Sequence, residues 1–130
     1  METMEAIRTR RSVRKFTGKP ISRSQLQTLL EAAMYAPSAH DRRPWEFVTV
    51  TRPETLADLA EKGRWWKMLP QAGTGILVCA DMNKGEKIVP EMHLNGCSAA
   101  IQNILLAAHD MGLGAVWLGT YPQTDKMRRV

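Results

Sequence analysis

Apolar side chains recur every three or four residues in four stretches of the chain, and this spacing predicts four helices. The second stretch has the clearest boundaries. Ser22 and Gln25 have the spacing of a capping box at its start, and Pro37 marks its end. The longest stretch carries many alanines beside its apolar face, which permits close packing against another surface. The predicted helices cover residues 2–9, 22–36, 53–62 and 91–111.

Three further segments have the composition of strands. WEFVTVT, residues 45–51, is rich in β-branched and aromatic side chains, and TGILVCADM, residues 74–82, is a continuous apolar run typical of a buried strand. AVWLGT, residues 115–120, follows the glycines that end the last helix and predicts a third strand. This order of helices and strands predicts an α+β or α/β protein, and the length of 130 residues favours a single domain spanning 1–130.

The composition is that of a globular protein, with 44% apolar and 24% charged residues. The apolar runs are shorter than the roughly 20 residues of a membrane span, and the N-terminus lacks a signal-peptide core, so we expect a cytoplasmic protein without a membrane partner. Cys79 and Cys97 lie in apolar segments and are predicted to be buried free thiols. His40, His93 and His109 are isolated, so no metal site is predicted.

A concentration of positive charge near the N-terminus, IRTRRSVRKF, stands out in a chain of net charge +5. Arg10, Ser12 and Arg14 alternate, so an extended backbone would direct all three to one side, and Arg11 would point elsewhere. Guanidinium groups and a hydroxyl suit a phosphate site, but a solvated basic stretch and a nucleic-acid arm fit the same residues. A nucleic-acid module usually adds exposed aromatic residues, and only Phe16 lies nearby.

The remaining motifs assign no reaction by themselves. The glycines of MGLGAVWLG follow a helix and precede a strand, which is the reverse of a dinucleotide-binding fingerprint. No serine has the context of a catalytic nucleophile, and no paired carboxylates indicate hydrolysis. If the protein is an enzyme, these observations favour a bound cofactor that carries the chemistry.

Four segments taken together resemble the nitroreductase family of FMN enzymes. They are EAIRTRRSVRKF (5–16), AAMYAPSAHDRRPWEFVTV (32–50), GILVCAD (75–81) and NGCSAAIQNILLAAHDMGLGAVWLG (95–119). The resemblance covers nearly the whole chain. It implies an α+β fold with a central β-sheet flanked by helices, and a homodimer with one FMN in each of two interface pockets. The alanine-rich face of the helix over 95–111 would then form the central dimer contact.

The resemblance also implies roles for individual residues. Arg10 and Ser12 would hold the FMN phosphate with help from Arg14, and Arg11 would reach the ribityl chain or the edge of the isoalloxazine. Two further groups of residues would contact the flavin. Pro37, Ser38 and Ala39 would contact the flavin of the partner subunit, and Trp117, Leu118 and Gly119 would lie along the isoalloxazine. No catalytic acid or base is implied.

The implied activity is the NAD(P)H-dependent reduction of nitroaromatics, quinones or similar electron-poor compounds, without a nucleic-acid partner. A flavin-binding protein without turnover is the first alternative, and a basic nucleic-acid-binding module is the second. Asp41 and Arg43 stand where the family often has Asn and Gln, so substrate or nicotinamide preference is expected to differ. The family usually continues for some tens of residues with a strand that crosses to the partner. We therefore expect this chain to bind FMN weakly and reversibly.

Overall fold

The structure, a computed structural model, describes residues 1–85 and 87–130, and this part of the chain forms helices around a small sheet. The elements in chain order are α1 (Thr3–Thr9), α2 (Arg23–Met34), a 3-10 turn (Ala39–Asp41), β1 (Trp45–Val50), α3 (Pro53–Lys62), α4 (Leu69–Ala72), β2 (Gly75–Ala80), α5 (Pro90–Asp110) and α6 (Thr124–Arg129). The α+β class is thereby confirmed. The short elements α4 and α6 and the 3-10 turn were outside the predicted pattern.

The predicted helix boundaries are confirmed because the residues that set them act locally. At the start of α2 the Ser22 hydroxyl accepts a hydrogen bond from the Gln25 amide at 3.1 Å, and the Gln25 side chain accepts one from the Ser22 amide at 2.8 Å. Both halves of the capping box are therefore formed. Helix α3 begins at Pro53, and Gly63 follows its last residue.

The sheet consists of β1 and β2, which pair antiparallel from Trp45 opposite Ala80 to Val50 opposite Gly75. Side chains of Ile76, Val78 and Ala80 pack with the core that lies against α5. Because side chains alternate along a strand, Cys79 faces away from that core and is exposed. The prediction of a buried thiol is confirmed for Cys97 and wrong for Cys79.

The predicted third strand over residues 115–120 is wrong. Only Ala115 pairs, in a single parallel bridge with Ser12, and the Val13 amide donates to the Ala115 carbonyl at 2.9 Å. A strand needs a neighbouring strand along its length, whatever the β-propensity of its residues. In the described part of the chain, residues 116–120 have no ladder partner and form coil.

The main core forms where α5 crosses α2 beneath the sheet. Ala33 of α2 and Ala100 of α5 are both completely buried, and the Asn103 amide group donates to the Ala32 carbonyl at 2.9 Å. Small residues on α5 therefore bring α2 close within one chain. Ala100 is therefore covered by its own chain, and the expected dimer contact of the alanine-rich face stays a prediction.

A second cluster of buried residues packs α3 and α4 together. It contains Leu56, Leu59, Ala60, Trp66 and Leu69, with Val50 and Leu118 against it. Gly63 lets the Trp66 ring lie over the end of α3, since a Cβ at Gly63 would clash with that ring. Leu118 thereby joins the segment after α5 to the cluster of α3 and α4.

Candidate functional site

The basic segment leaves α1 as extended backbone. Arg10 follows the last helical turn with ψ 136°, and two residues later Ser12 pairs with Ala115. Val13 turns towards Gly114, where a Cβ would come within 2.8 Å of the valine Cγ1. Ser12 and Arg14 are exposed, and Arg10 is half-buried. Arg10, Ser12 and Arg14 can alternate with the residues between them only on extended backbone, and the inward Val13 agrees with that alternation.

The charge of this segment is not neutralised by acidic side chains within the described residues. The ion pairs found there involve other cations, namely the N-terminal amine, Arg43, Lys62, Lys67 and Lys84. Like charges held together without counter-charges attract anions. The segment is therefore an electropositive surface on which a phosphate would be stabilised.

Arg11 differs from its neighbours because its guanidinium turns back onto α1. One of its Nη atoms donates to the Arg8 carbonyl at 3.0 Å and to the Arg10 carbonyl at 2.9 Å. A cation at this position interacts favourably with the carbonyls at the end of a helix. The implied contact of Arg11 with a ribityl chain stays a prediction.

A hydrogen bond ties the end of α1 to α5 immediately before Arg10. The Thr9 hydroxyl donates to the Glu5 carbonyl at 2.7 Å, which leaves its oxygen to accept from Nε2 of His109 at 2.8 Å. The basic segment is thereby anchored at the C-terminal end of α5.

A shallow depression of about 290 Å³ lies near the other end of α5. It is lined by Pro37, Ser38, Ala39, Met92, Asn95, Gly96 and Ala99. Gly96 allows the loop to approach, because a Cβ there would be 3.3 Å from the Ser38 Cβ and 3.6 Å from the Pro37 carbonyl oxygen. A glycine inside a helix costs about 1 kcal/mol, and this signal in the sequence could have identified the close approach. Asn95 and Gly96 are not among the site residues predicted from the sequence.

The loop after Ala39 is held in an uncommon conformation. His40, Asp41 and Arg43 have φ values of 52°, 53° and 50°. The Ser38 hydroxyl accepts from the Arg43 amide at 2.9 Å, and the Arg43 guanidinium donates to both oxygens of Asp41 at 2.9 and 3.2 Å. Hydrogen bonding and the positive charge of Arg43 lower the pKa of Asp41, and Asp41 in turn raises the pKa of Arg43.

The segment over Trp117, Leu118 and Gly119 begins two residues after the bridge to Ser12. Trp117 is 46% exposed, Leu118 packs on the second cluster, and a Cβ at Gly119 would meet nothing within 4 Å. The structure therefore brings this segment next to the basic segment, although about a hundred positions separate them in sequence.

The predicted site residues consequently form two surfaces on one chain. The basic segment and residues 117–119 lie beyond the C-terminal end of α5, and the loop over 37–39 lies at Gly96. The thirteen steps along the chain from Gly96 to His109 extend about 20 Å along the helix axis. One chain therefore does not bring all ten predicted residues to one pocket.

The described residues contain no group of three or more His, Cys, Asp or Glu side chains placed to hold a metal ion. Within the same part of the chain, no helix combines the length and the hydropathy needed to cross a bilayer.

Known proteins of one family match this chain. The model described as the nitroreductase family matches residues 7–66 and 60–130. A protein of Methanothermobacter thermautotrophicus, named "Putative NADH dehydrogenase/NAD(P)H nitroreductase", is 44% identical over 130 residues, which are 100% of this chain and 67% of the relative.

Solved structures agree with that match. A protein of the same name from Parabacteroides distasonis has a TM-score of 0.92 at 43% identity, and the match covers 98% of this chain and 74% of the Parabacteroides chain. An FMN-dependent nitroreductase from Clostridium difficile has a TM-score of 0.84 at 29% identity, covering 95% of this chain and 69% of its own. On the family match and the 44% identity, the chain belongs to the nitroreductase family.

Proposed function

We propose that this chain binds FMN and uses NAD(P)H to reduce small electron-poor compounds such as nitroaromatics or quinones. The observation that carries the proposal is the basic segment, whose Arg10, Ser12 and Arg14 have no acidic partners in the described part of the chain. FMN would supply the missing negative charge through its phosphate. The names of relatives with the same fold, one of them FMN-dependent, support the same cofactor.

The chemical types of the residues present fit such a cofactor. The half-buried Arg10 guanidinium and the Ser12 hydroxyl suit the phosphate, since charge-assisted hydrogen bonds are the strong ones. Trp117 offers an exposed aromatic surface, and the open space at Gly119 leaves its backbone accessible to a flat ring. These residues bind and orient the cofactor.

A homodimer is part of the proposal because one chain separates the two groups of site residues. A second copy that placed its Pro37–Ala39 loop beside the first copy's Trp117 would assemble them in one pocket. The exposed apolar side chains of Met4, Ile7 and Met92 fit such an interface. FMN, when bound, would supply the redox chemistry between a reduced nicotinamide and the second substrate. The chain's own residues hold the reactants in position, and none is assigned as a catalytic acid or base.

Removal of one phosphate contact tests the proposal. In Arg10→Ala, FMN affinity should fall about ten- to a hundredfold, the value of a charge-assisted hydrogen bond, while riboflavin affinity changes little. Arg8→Ala is the matched control, because Arg8 is an exposed cation on α1 that lies before the extended segment. Flavin fluorescence titration measures both affinities. Equal losses for FMN and riboflavin would refute the phosphate assignment.

A spectrum separates turnover from flavin binding alone. The loaded protein should show the flavin absorption band, and NADPH or NADH should bleach it under anaerobic conditions. A band that persists with either nucleotide would favour a flavin-binding protein without turnover. If the protein instead bound nucleic acid and no flavin, the basic module would be the correct interpretation.

A further inference from the structure

We propose that Arg43 is a specificity residue that recognises an anionic group, a phosphate or a carboxylate, on a ligand entering the depression beside Ser38. The inference rests on the proposed function, because it assigns a chemical class to the ligands of that same site. It starts from the loop over residues 38–43 and not from the basic segment.

Arg43 is tied directly to the wall of the depression. Its amide donates to the Ser38 hydroxyl at 2.9 Å, and Ser38 lines the depression together with Asn95 and Gly96. Arg43 is not itself part of the lining, and its guanidinium is held at Asp41. Because the Arg43 amide is bonded to a residue that does line the depression, a ligand that extends from this space past Ser38 would meet the guanidinium.

The loop holds Arg43 in a conformation that its sequence disfavours. A φ of 50° is uncommon for arginine. It is also unexpected at this position, because Pro44 follows directly and the residue before a proline usually adopts an extended conformation. Backbone strain of this kind persists where the surroundings over-determine it, and it is concentrated at functional sites. Here the Ser38 hydroxyl and the Asp41 carboxylate supply the determining contacts.

Stability alone does not account for the Asp41–Arg43 pair. The two side chains are 75% and 65% exposed, and exposed ion pairs contribute little to the free energy of unfolding. Asp41 uses only two of the five N–H donors of the guanidinium, one on Nε and one on Nη2. The remaining three point away from the carboxylate in a planar fork, which matches a phosphate or carboxylate.

Neighbouring cations strengthen this choice of ligand. Lys84 lies with Nζ 3.4 Å from the Arg43 carbonyl and 3.0 Å from Glu46, and Arg42 runs beside Gly85. Among the described residues, three basic side chains, those of Arg42, Arg43 and Lys84, therefore lie at this loop together with the carboxylates of Asp41 and Glu46. An oxyanion on the ligand would complete this arrangement, whereas a cationic ligand would meet repulsion.

Two sources supply such an anion, and paired probes distinguish them. Adenosine 2′-phosphate against adenosine represents the phosphate of a reduced nicotinamide nucleotide. 4-Nitrobenzoate against 4-nitrobenzamide represents an acidic electron-poor substrate. Each pair differs mainly in the charge of one group, so the difference within a pair isolates recognition of the anion.

The experiment measures binding of all four probes by NMR titration of the full chain, with and without FMN. In Arg43→Gln, at least one anionic probe should bind about five- to tenfold more weakly at low salt, and its neutral counterpart should be unaffected. Arg43→Lys should lose less affinity for the anionic probe, because lysine keeps the positive charge and lacks only the planar fork of the guanidinium. Arg52→Gln is the control, since Arg52 lies beyond the far end of β1, about 20 Å along the strand.

The outcomes separate the two proposals. The inference is overturned if neither anionic probe binds the unmodified chain more tightly than its neutral counterpart. It is also overturned if Arg43→Gln weakens both members of a pair equally, or if Arg52→Gln matches its effect. Failure of the proposed function would appear elsewhere, as equal losses of FMN and riboflavin affinity in Arg10→Ala. The probe titrations need no turnover, so they test Arg43 whether or not the flavin is reduced.

Discussion

Substitution of Gly114 by alanine should separate the basic segment from the segment that follows α5. A Cβ at this position would lie 2.8 Å from the Val13 Cγ1, 3.1 Å from the Val13 Cβ and 3.5 Å from Phe16. Carbon atoms in good contact are about 3.5–4.0 Å apart, so Val13 must retreat by about 0.7 Å. Valine is stiff at χ1, and rotation cannot move its own Cβ.

The retreat of Val13 opposes a backbone hydrogen bond. The Val13 amide donates at 2.9 Å to the carbonyl of Ala115, the residue directly after Gly114. Overpacking costs about 1–3 kcal/mol, and replacement of a glycine returns about 0.4–1 kcal/mol by restricting the unfolded chain. We therefore expect Gly114→Ala to lower the free energy of unfolding by about 1–2 kcal/mol. For a chain of this length, that loss lowers the melting temperature by about 4–10 °C.

Gly119→Ala is the matched control for this prediction. It is the same chemical change in the same coil segment, and nothing lies within 4 Å of the added Cβ. Circular dichroism melts without flavin should show the control within about 0.5 kcal/mol of the unmodified chain. FMN affinity should also fall in Gly114→Ala, because Ser12 moves with Val13. If the two variants melt at the same temperature, the contact of Val13 with Gly114 does not join the two segments as argued.

Two further predictions concern buried groups. In the folded protein Cys79 should react with a thiol reagent, while Cys97 should react only after unfolding. Burial, with a smaller contribution from Cys79, raises the pKa of Cys97. The stability contributed by the neutral Cys97 thiol should therefore be complete below the usual cysteine pKa of about 8.5 and decline as pH rises towards the raised value, and urea melts from pH 7 to 10 will follow this decline. Equal native reactivity of both thiols would contradict the burial of Cys97. His93 is 2% exposed and its Nε2 has no hydrogen-bond partner among the described residues, so His93→Leu should leave stability unchanged or raise it by about 1 kcal/mol in the same melts. A loss of more than about 1 kcal/mol would indicate that Nε2 has a partner in solution.

Helix positions and family membership were predictable from the sequence because their signals are local. The capping box at Ser22 and the Pro53 and Gly63 boundaries of α3 depend on residues within one turn of each other. The order of the four motifs likewise needs no knowledge of contacts. The roles of the ten cofactor residues came from that resemblance, and they remain predictions.

Tertiary structure decided the features that depend on distant partners. Residues 115–120 have strand composition, but strand formation requires a neighbour, and the neighbour they meet is Ser12 at a single position. Cys79 lies in an apolar run and is exposed, because burial depends on what covers each face of the sheet. Gly96 and Ser38, and likewise Gly114 and Val13, are far apart in sequence and touch only after the chain has folded. The physical reason is that hydrogen bonds of a helix close within four residues, whereas strand pairing, burial and the assembly of a site are set by long-range contacts.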